Sequence, residues 1–207
     1  MRTRVTLSRS LRYLLAWTPT IAAARALPAQ RPVSDAVLQR GSLSFLGHAT
    51  VGDFVGVTSS VTGVIIGGRD YSVTRGFVEA SVRTLVTGNE RRDRDLRESM
   101  EVARYPMMRF DLSAVTPVPS ASVTPDSIAM MLHGALTIHG VTQRVDLAAR
   151  VTRAGDTTRV TTRFPLDLGS YDIRGLTKMF GLLRMQNEIE VRVDLLFLDA
   201  PTQWANP

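Results

Sequence analysis

An all-β, antiparallel fold is what this sequence predicts, on three observations. Apolar and polar residues alternate through most of the chain from Ser42 onward, turn signals separate the alternating runs, and helical periodicity is scarce. A period of two puts successive side chains on opposite faces of a strand, so each run presents one face to a core and one to water.

The elements follow in order. Two strands fit between Leu43 and Ile66. In the next, at 76 to 85, Val78, Ala80 and Val82 share one face and Glu79, Ser81 and Arg83 the other. Asn89 to Val102 is polar and helix-compatible. A strand at 107 to 115 sets Met108, Phe110 and Leu112 against Arg109 and Asp111. Met130, Leu132, Gly134, Leu136 and Ile138 then alternate with Met131, His133, Ala135, Thr137 and His139.

Gly140-Val141-Thr142-Gln143 reads as a hairpin connection, after which Val145, Leu147, Ala149 and Val151 answer in phase. Ala154-Gly155-Asp156 supplies another turn before Val160, Thr162, Phe164 and Leu166. The cleanest alternation comes last, with Ile189, Val191, Val193, Leu195 and Phe197 on one side. Between these two strands the apolar stretch from Ile173 to Met185 is suited to covering an opening. About eight strands result, which fit either a barrel holding one small ligand or a sandwich.

Composition bounds the function. The 207 residues are 44% hydrophobic and 21% charged, as expected of one globular domain rather than a disordered chain. The net charge of +6 invites a nucleic-acid reading, but Arg2, Arg4, Arg9, Arg12 and Arg25 all lie in the first 26 residues, which hold no acid. The rest is close to neutral, so no nucleic-acid partner is expected.

Those first residues combine an arginine-bearing start, an apolar run from Tyr13 to Ala24 and small residues at Ala24-Arg25-Ala26, the pattern of a secretory signal peptide over 1–26. Pro19 interrupts the run, which is shorter than a membrane span requires. With no Cys, the chain offers neither lipid attachment nor a disulfide. The expected organisation is a linker at 27–40, a barrel at 41–198 and a tail at 199–207, in an exported protein of the periplasm or the extracellular space.

Three blocks carry a family resemblance. Thr87-Gly88-Asn89-Glu90-Arg91-Arg92-Asp93, followed by Leu96-Arg97 and then Tyr105-Pro106 with Phe110, resembles the centre of the YceI-like family of exported lipid-binding proteins. Gly134-Ala135-Leu136-Thr137-Ile138-His139-Gly140-Val141-Thr142 and Val51-Gly52-Asp53-Phe54 with Gly63 fit the same family. The resemblance spans about 41 to 198 and implies an antiparallel eight-stranded, lipocalin-like barrel with a short helix beside it. It also implies a polyisoprenoid chain inside, such as a quinone tail or a polyprenyl phosphate. The early Gly-x-Trp of true lipocalins is missing, since Trp17 lies in the leader and Trp204 in the tail.

A flexible hydrocarbon needs a long apolar lining, and each Å² removed from water contributes about 25 cal/mol. The candidate tail contacts are Phe45, Phe54, Val78, Val82, Phe110, Leu132, Leu136, Leu147, Phe164, Met179, Phe180, Leu183, Val191 and Val193. Small inward residues, Ala80, Gly134 and Ala149, leave the tunnel its space. Arg91, Arg92, Arg94 and Arg97 are candidates for holding a head group, although Glu90, Asp93, Asp95 and Glu98 among them favour a self-neutralised, solvated helix.

Catalysis finds little support. His133 and His139 on one strand face are roughly 20 Å apart, too far to share a metal ion. There is no Gly-x-Ser-x-Gly elbow and no phosphate or dinucleotide loop. No enzyme activity, catalytic residue, metal or cofactor is expected beyond a bound isoprenoid lipid, with transient membrane contact compatible with that role. Two alternatives remain open: a lipid- or quinone-modifying enzyme using His48 or Asp172 near the mouth, and an interaction module whose barrel is filled by its own side chains.

Overall fold

The computed structural model describes residues 33–50, 52–118, 127–173, 177–178 and 183–200, with backbone alone at 177–178 and 183–184. The strands are β1 (Ala36–Ala49), β2 (Gly52–Thr58), β3 (Val61–Ile66), β4 (Arg75–Ser81), β5 (Met107–Pro117), β6 (Ser127–Ile138), β7 (Val141–Ala154), β8 (Thr157–Asp167), β9 (Thr177–Lys178), β10 (Leu183–Arg184) and β11 (Glu188–Asp199). The helix α1 (Glu90–Ser99) links β4 to β5. The signal-peptide expectation for 1–26 falls outside the described residues.

The sheet runs β11-β8-β7-β6-β5-β4-β3-β1-β2, and β11 also pairs with β1, which closes it. β2 and β3 hold a single register against β1, with Leu43 opposite Thr58 and Val37 opposite Val64. They therefore act as one interrupted strand, and the result is a closed, antiparallel, eight-stranded barrel. The strand β1 begins at Ala36, so its first turn of chain lies inside the stretch read as a linker.

Two β-bulges explain where simple alternation fails. In β5 the register slips between Leu112 and Ala114, so inward positions pass from even numbers (Met108, Phe110, Leu112) to odd ones (Val115, Pro117). A second slip in β1, between Leu38 and Arg40, does the same between Leu38 and Leu43. A residue inserted in one strand flips every later side chain to the other face.

The strand read at 76 to 85 ends early. β4 stops at Ser81, and Val82–Thr84 form a 3-10 turn whose first N–H donates to the Pro106 carbonyl at 3.0 Å. Val82 is thereby swung out of the barrel wall and becomes fully buried, at 0% exposure, below it.

The β6–β7 hairpin is tighter than the expected Gly140-to-Gln143 connection. Ile138 pairs with Val141, leaving His139 and Gly140 as a two-residue turn with φ of 52° and 76°. Gly140 suits this turn twice over, because a Cβ there would also sit 2.5 Å from the Tyr105 ring.

Antiparallel connections assign every strand end to one of two rims. One rim carries the start of β1, the end of β3, the start of β4 and the β7–β8 turn. The opposite rim carries the β1–β2 turn, α1, the β6–β7 turn and the 3-10 turn at Leu168–Tyr171.

Candidate functional site

At the second rim the barrel is plugged. Phe45, Val82, Leu85, Met100, Val102, Leu136, Ile138, Leu166, Leu168, Tyr171, Ile173, Ile189 and Val191 form one buried cluster. Phe45 and Phe54 meet edge to face, with centroids 5.9 Å apart.

The arginine-rich block at 87 to 97 helps to build this plug. Asn89 caps α1 by accepting the Arg92 N–H at 3.1 Å, and Asp93, itself buried, accepts the Thr87 N–H at 2.8 Å and the Thr87 hydroxyl at 2.6 Å. Arg92 donates to the Thr87 hydroxyl at 2.9 Å and lies 4.4 Å over the Phe54 ring. Arg97 donates to the Arg83 carbonyl, and Arg94 pairs with Glu90 within the helix.

The histidine of the tight turn is buried there too. His139 Nδ1 donates to the Tyr171 carbonyl at 3.3 Å, and its ring meets Tyr105 edge to face at 4.7 Å. Its Nε2 faces Glu101 Oε1 at 3.4 Å but lies outside hydrogen-bond geometry. The ring ties the hairpin to its neighbours from a buried position rather than from the strand face on which alternation places it.

Toward the first rim the interior is empty. A cavity of about 1750 Å³ opens among β3, β4, β5, β6, β7, β8 and β11, lined mainly by aliphatic and phenyl side chains. Val78, Phe110, Leu132, Leu136, Leu147, Phe164 and Val193 of the candidate contacts line it. Leu136 belongs to the plug as well and, with Met108, Phe164 and Leu43, makes the floor.

The other candidates lie elsewhere. Phe45, Val82 and Val191 are packed in the plug and Phe54 against it, so none of these four lines the cavity. For Val82 the reason is the early end of β4; Phe45 and Val191 share the cross-strand row of Phe164 but pack on the plug side, and Phe54 packs beyond them against Phe45. Met179 and Phe180 fall outside the described residues, and of Leu183 only the backbone, paired with Lys178 between β9 and β10, is described.

The small residues act in different ways. Ala80 lines the cavity, Ala149 packs with Val160, Leu195 and Phe197 in a second cluster, and Gly134 lies under the Phe110 ring. A Cβ at Gly134 would come within 2.6 Å of that ring, so glycine lets Phe110 lie flat on the wall and keeps the lumen open.

Several lining residues were passed over. Val160, Leu195 and Phe197 sit on inward faces that alternation already marks. Tyr71 and Thr74 come from the β3–β4 connection, where no periodicity points inward. Tyr71, Thr74, Arg153 and Thr158 stand toward the opening, where Arg153 pairs with Asp199 and donates to the Thr158 hydroxyl at 3.3 Å, and Arg109 and Thr162 are polar lining residues deeper along the wall.

The arginines of α1 are therefore misplaced as head-group ligands: no α1 residue lines the cavity, and the helix stands at the plugged rim. The same geometry removes His48 and Asp172 from the mouth. His48 pairs with Asp53 at 2.8 Å beside the β1–β2 turn, and Asp172 follows the 3-10 turn at the plug. His133 bridges Asp146 and the Thr116 hydroxyl on the outer wall, at 2.7 and 2.9 Å.

Comparison with known proteins agrees with this architecture. The chain is similar in fold to BcnA of Burkholderia cenocepacia, with 15% identity and a TM-score of 0.63 over 75% of this chain and 95% of that one. A polyisoprenoid binding domain from Saccharophagus degradans, implicated in plant cell wall breakdown, gives 14% identity and 0.63 over 81% and 99%. The Campylobacter jejuni YceI protein gives 18% identity and 0.53 over 70% and 85%. None of the curated proteins matches the sequence. A family model, the YceI-like domain, matches residues 36–197, and the chain belongs to that family.

Proposed function

We propose that this barrel holds a polyisoprenoid chain, of the quinone-tail or polyprenyl-phosphate type, in its cavity, and stores or carries it outside the cytoplasm without chemical change. The observation that carries this reading is the open, apolar cavity of about 1750 Å³ above a solid plug. A pocket lined mainly by Val, Leu and Phe side chains recognises apolarity. Each 100 Å² of tail it removes from water is worth about 2.5 kcal/mol, before the cost of ordering the chain. The similarity to a polyisoprenoid binding domain supports the same ligand class.

A head group would remain at the opening, near Tyr71, Thr74 and Arg153, rather than at α1. The leader-like pattern of the first 26 residues supports export. A barrel filled by its own side chains, as an interaction module would have, is disfavoured by the cavity.

The test is native mass spectrometry of the mature protein purified from its own compartment, followed by organic extraction. The expected result is one isoprenoid lipid per barrel. Protein that emerges empty and takes up neither added quinones nor polyprenyl phosphates would overturn the reading.

A further inference from the structure

The cavity opens at a rim that is itself apolar. Ile66, at the end of β3, is 55% exposed; Val73, in the β3–β4 connection, is 47% exposed; and Ile128, at the start of β6, is 37% exposed. Side chains of this size left in water around an apolar opening mark a surface that is covered in use.

Charge says what covers it. Arg69 and Arg75 flank Ile66 and Val73 and are exposed. Arg69 has no partner among the described residues, and Arg75 donates to the Ser72 and Thr74 carbonyls at 3.2 Å without meeting an acid. The neighbouring acids stay at the surface but are engaged by backbone, Asp35 accepting the Gly67 N–H and Asp70 the Ser72 N–H, both at 2.8 Å. Apolar side chains with guanidinium groups beside them match the acyl and phosphate layers of a bilayer surface.

We infer that this rim docks on a phospholipid surface, with Ile66, Val73 and Ile128 entering the acyl boundary and Arg69 and Arg75 contacting phosphates. The inference rests on the proposed lipid role, because docking places the opening where a tail can pass between bilayer and barrel without crossing water. Apolar insertion dominates, so the salt dependence is shallow.

Co-sedimentation of the mature protein with vesicles of phosphatidylcholine and phosphatidylglycerol tests it. The double variant I66D/V73D is expected to lose at least about tenfold in vesicle affinity, and R69E/R75E several-fold. Val55→Asp, at an exposed valine of β2 near the plugged rim, is expected to change nothing. Circular dichroism verifies that each variant is folded. Rim variants that sediment like the parent, or an equal loss in Val55→Asp, would overturn the docking surface. So would a dimer of the parent that the rim substitutions dissolve, since the rim would then belong to a second copy. Loading of a long-chain quinone from detergent micelles separates the two claims: a parent that loads but ignores vesicles fails only the docking surface, and one that binds vesicles but never loads fails only the tunnel.

Discussion

The plugged and open ends of the barrel are built from the same strands, yet they differ in nearly every physical respect. Strand residues at the plug meet α1, the 3-10 turns at 82–84 and 168–171, and each other, and leave no space. Strand residues toward the opening meet one another only along the wall, and a cavity separates the two sides. The contrast teaches that stability and binding are divided along the barrel axis. Apolar contact holds the plug together, whereas at the open end the same kind of side chain is left without a partner across the lumen.

Truncation gives the largest separation between the ends. Leu166→Ala in the plug is expected to cost about 2–5 kcal/mol, because a dense cluster relaxes poorly around a void. Leu132→Ala in the cavity wall is expected to cost less than about half of that, since its side chain already faces empty space. Denaturant unfolding of the two variants, freed of lipid, measures the difference. Equal losses would mean that the lumen is packed in solution.

The turn motif comes next in size. Gly140→Ala must hold a left-handed residue and displace Tyr105, so a loss of about 1–3 kcal/mol is expected, with ligand uptake unchanged. Asp93→Ala, which strips the Thr87 N–H and hydroxyl of their acceptor, is expected to cost about 1–3 kcal/mol, again without effect on uptake. A loss of uptake in either folded variant would join the two ends more tightly than the structure does.

These two motifs also explain what the sequence made legible. Thr87, Asn89 and Asp93 form a helix entry, and His139-Gly140 forms a left-handed turn, so both depend on particular residue types and can be recognised. All of them serve the plug. The cavity needs only apolar bulk on one face, which alternation delivers for Val78, Leu132, Leu147 and Val193 without saying how far up the axis each one lies. Position along the axis separates lining from packing: Phe45 and Val191 share an inward face and a cross-strand row with the lining residue Phe164 but are packed in the plug. Which face a residue takes also depends on bulges at Leu38/Arg40 and Leu112/Ala114 and on the early end of β4, and none of these has a signature in an alternating pattern.

The smallest expected effect concerns the outer wall. Arg163 holds the Glu190 carboxyl, and Arg159 the Asp194 carboxyl, below their ordinary ranges through hydrogen bonds across β8 and β11. Groups with a depressed folded-state pKa stabilise the fold above their unfolded value, and that contribution fades as pH falls through the folded one. A modest fall in Tm below about pH 4 is expected, and Arg159→Gln should flatten part of it. Both carboxylates face solvent, so the effect on uptake is nil.

The most direct test of the division along the axis is uptake of a long-chain isoprenoid quinone by the lipid-free parent, Leu132→Trp and Phe54→Ala, read by native mass spectrometry. The parent and Phe54→Ala are expected to bind one quinone each, since Phe54 packs outside the cavity, whereas Leu132→Trp projects a larger side chain into the lumen and is expected to lower uptake while remaining folded. Quinone binding by Leu132→Trp at the level of the parent would contradict the account, because the ligand would then lie somewhere other than the open half of the barrel.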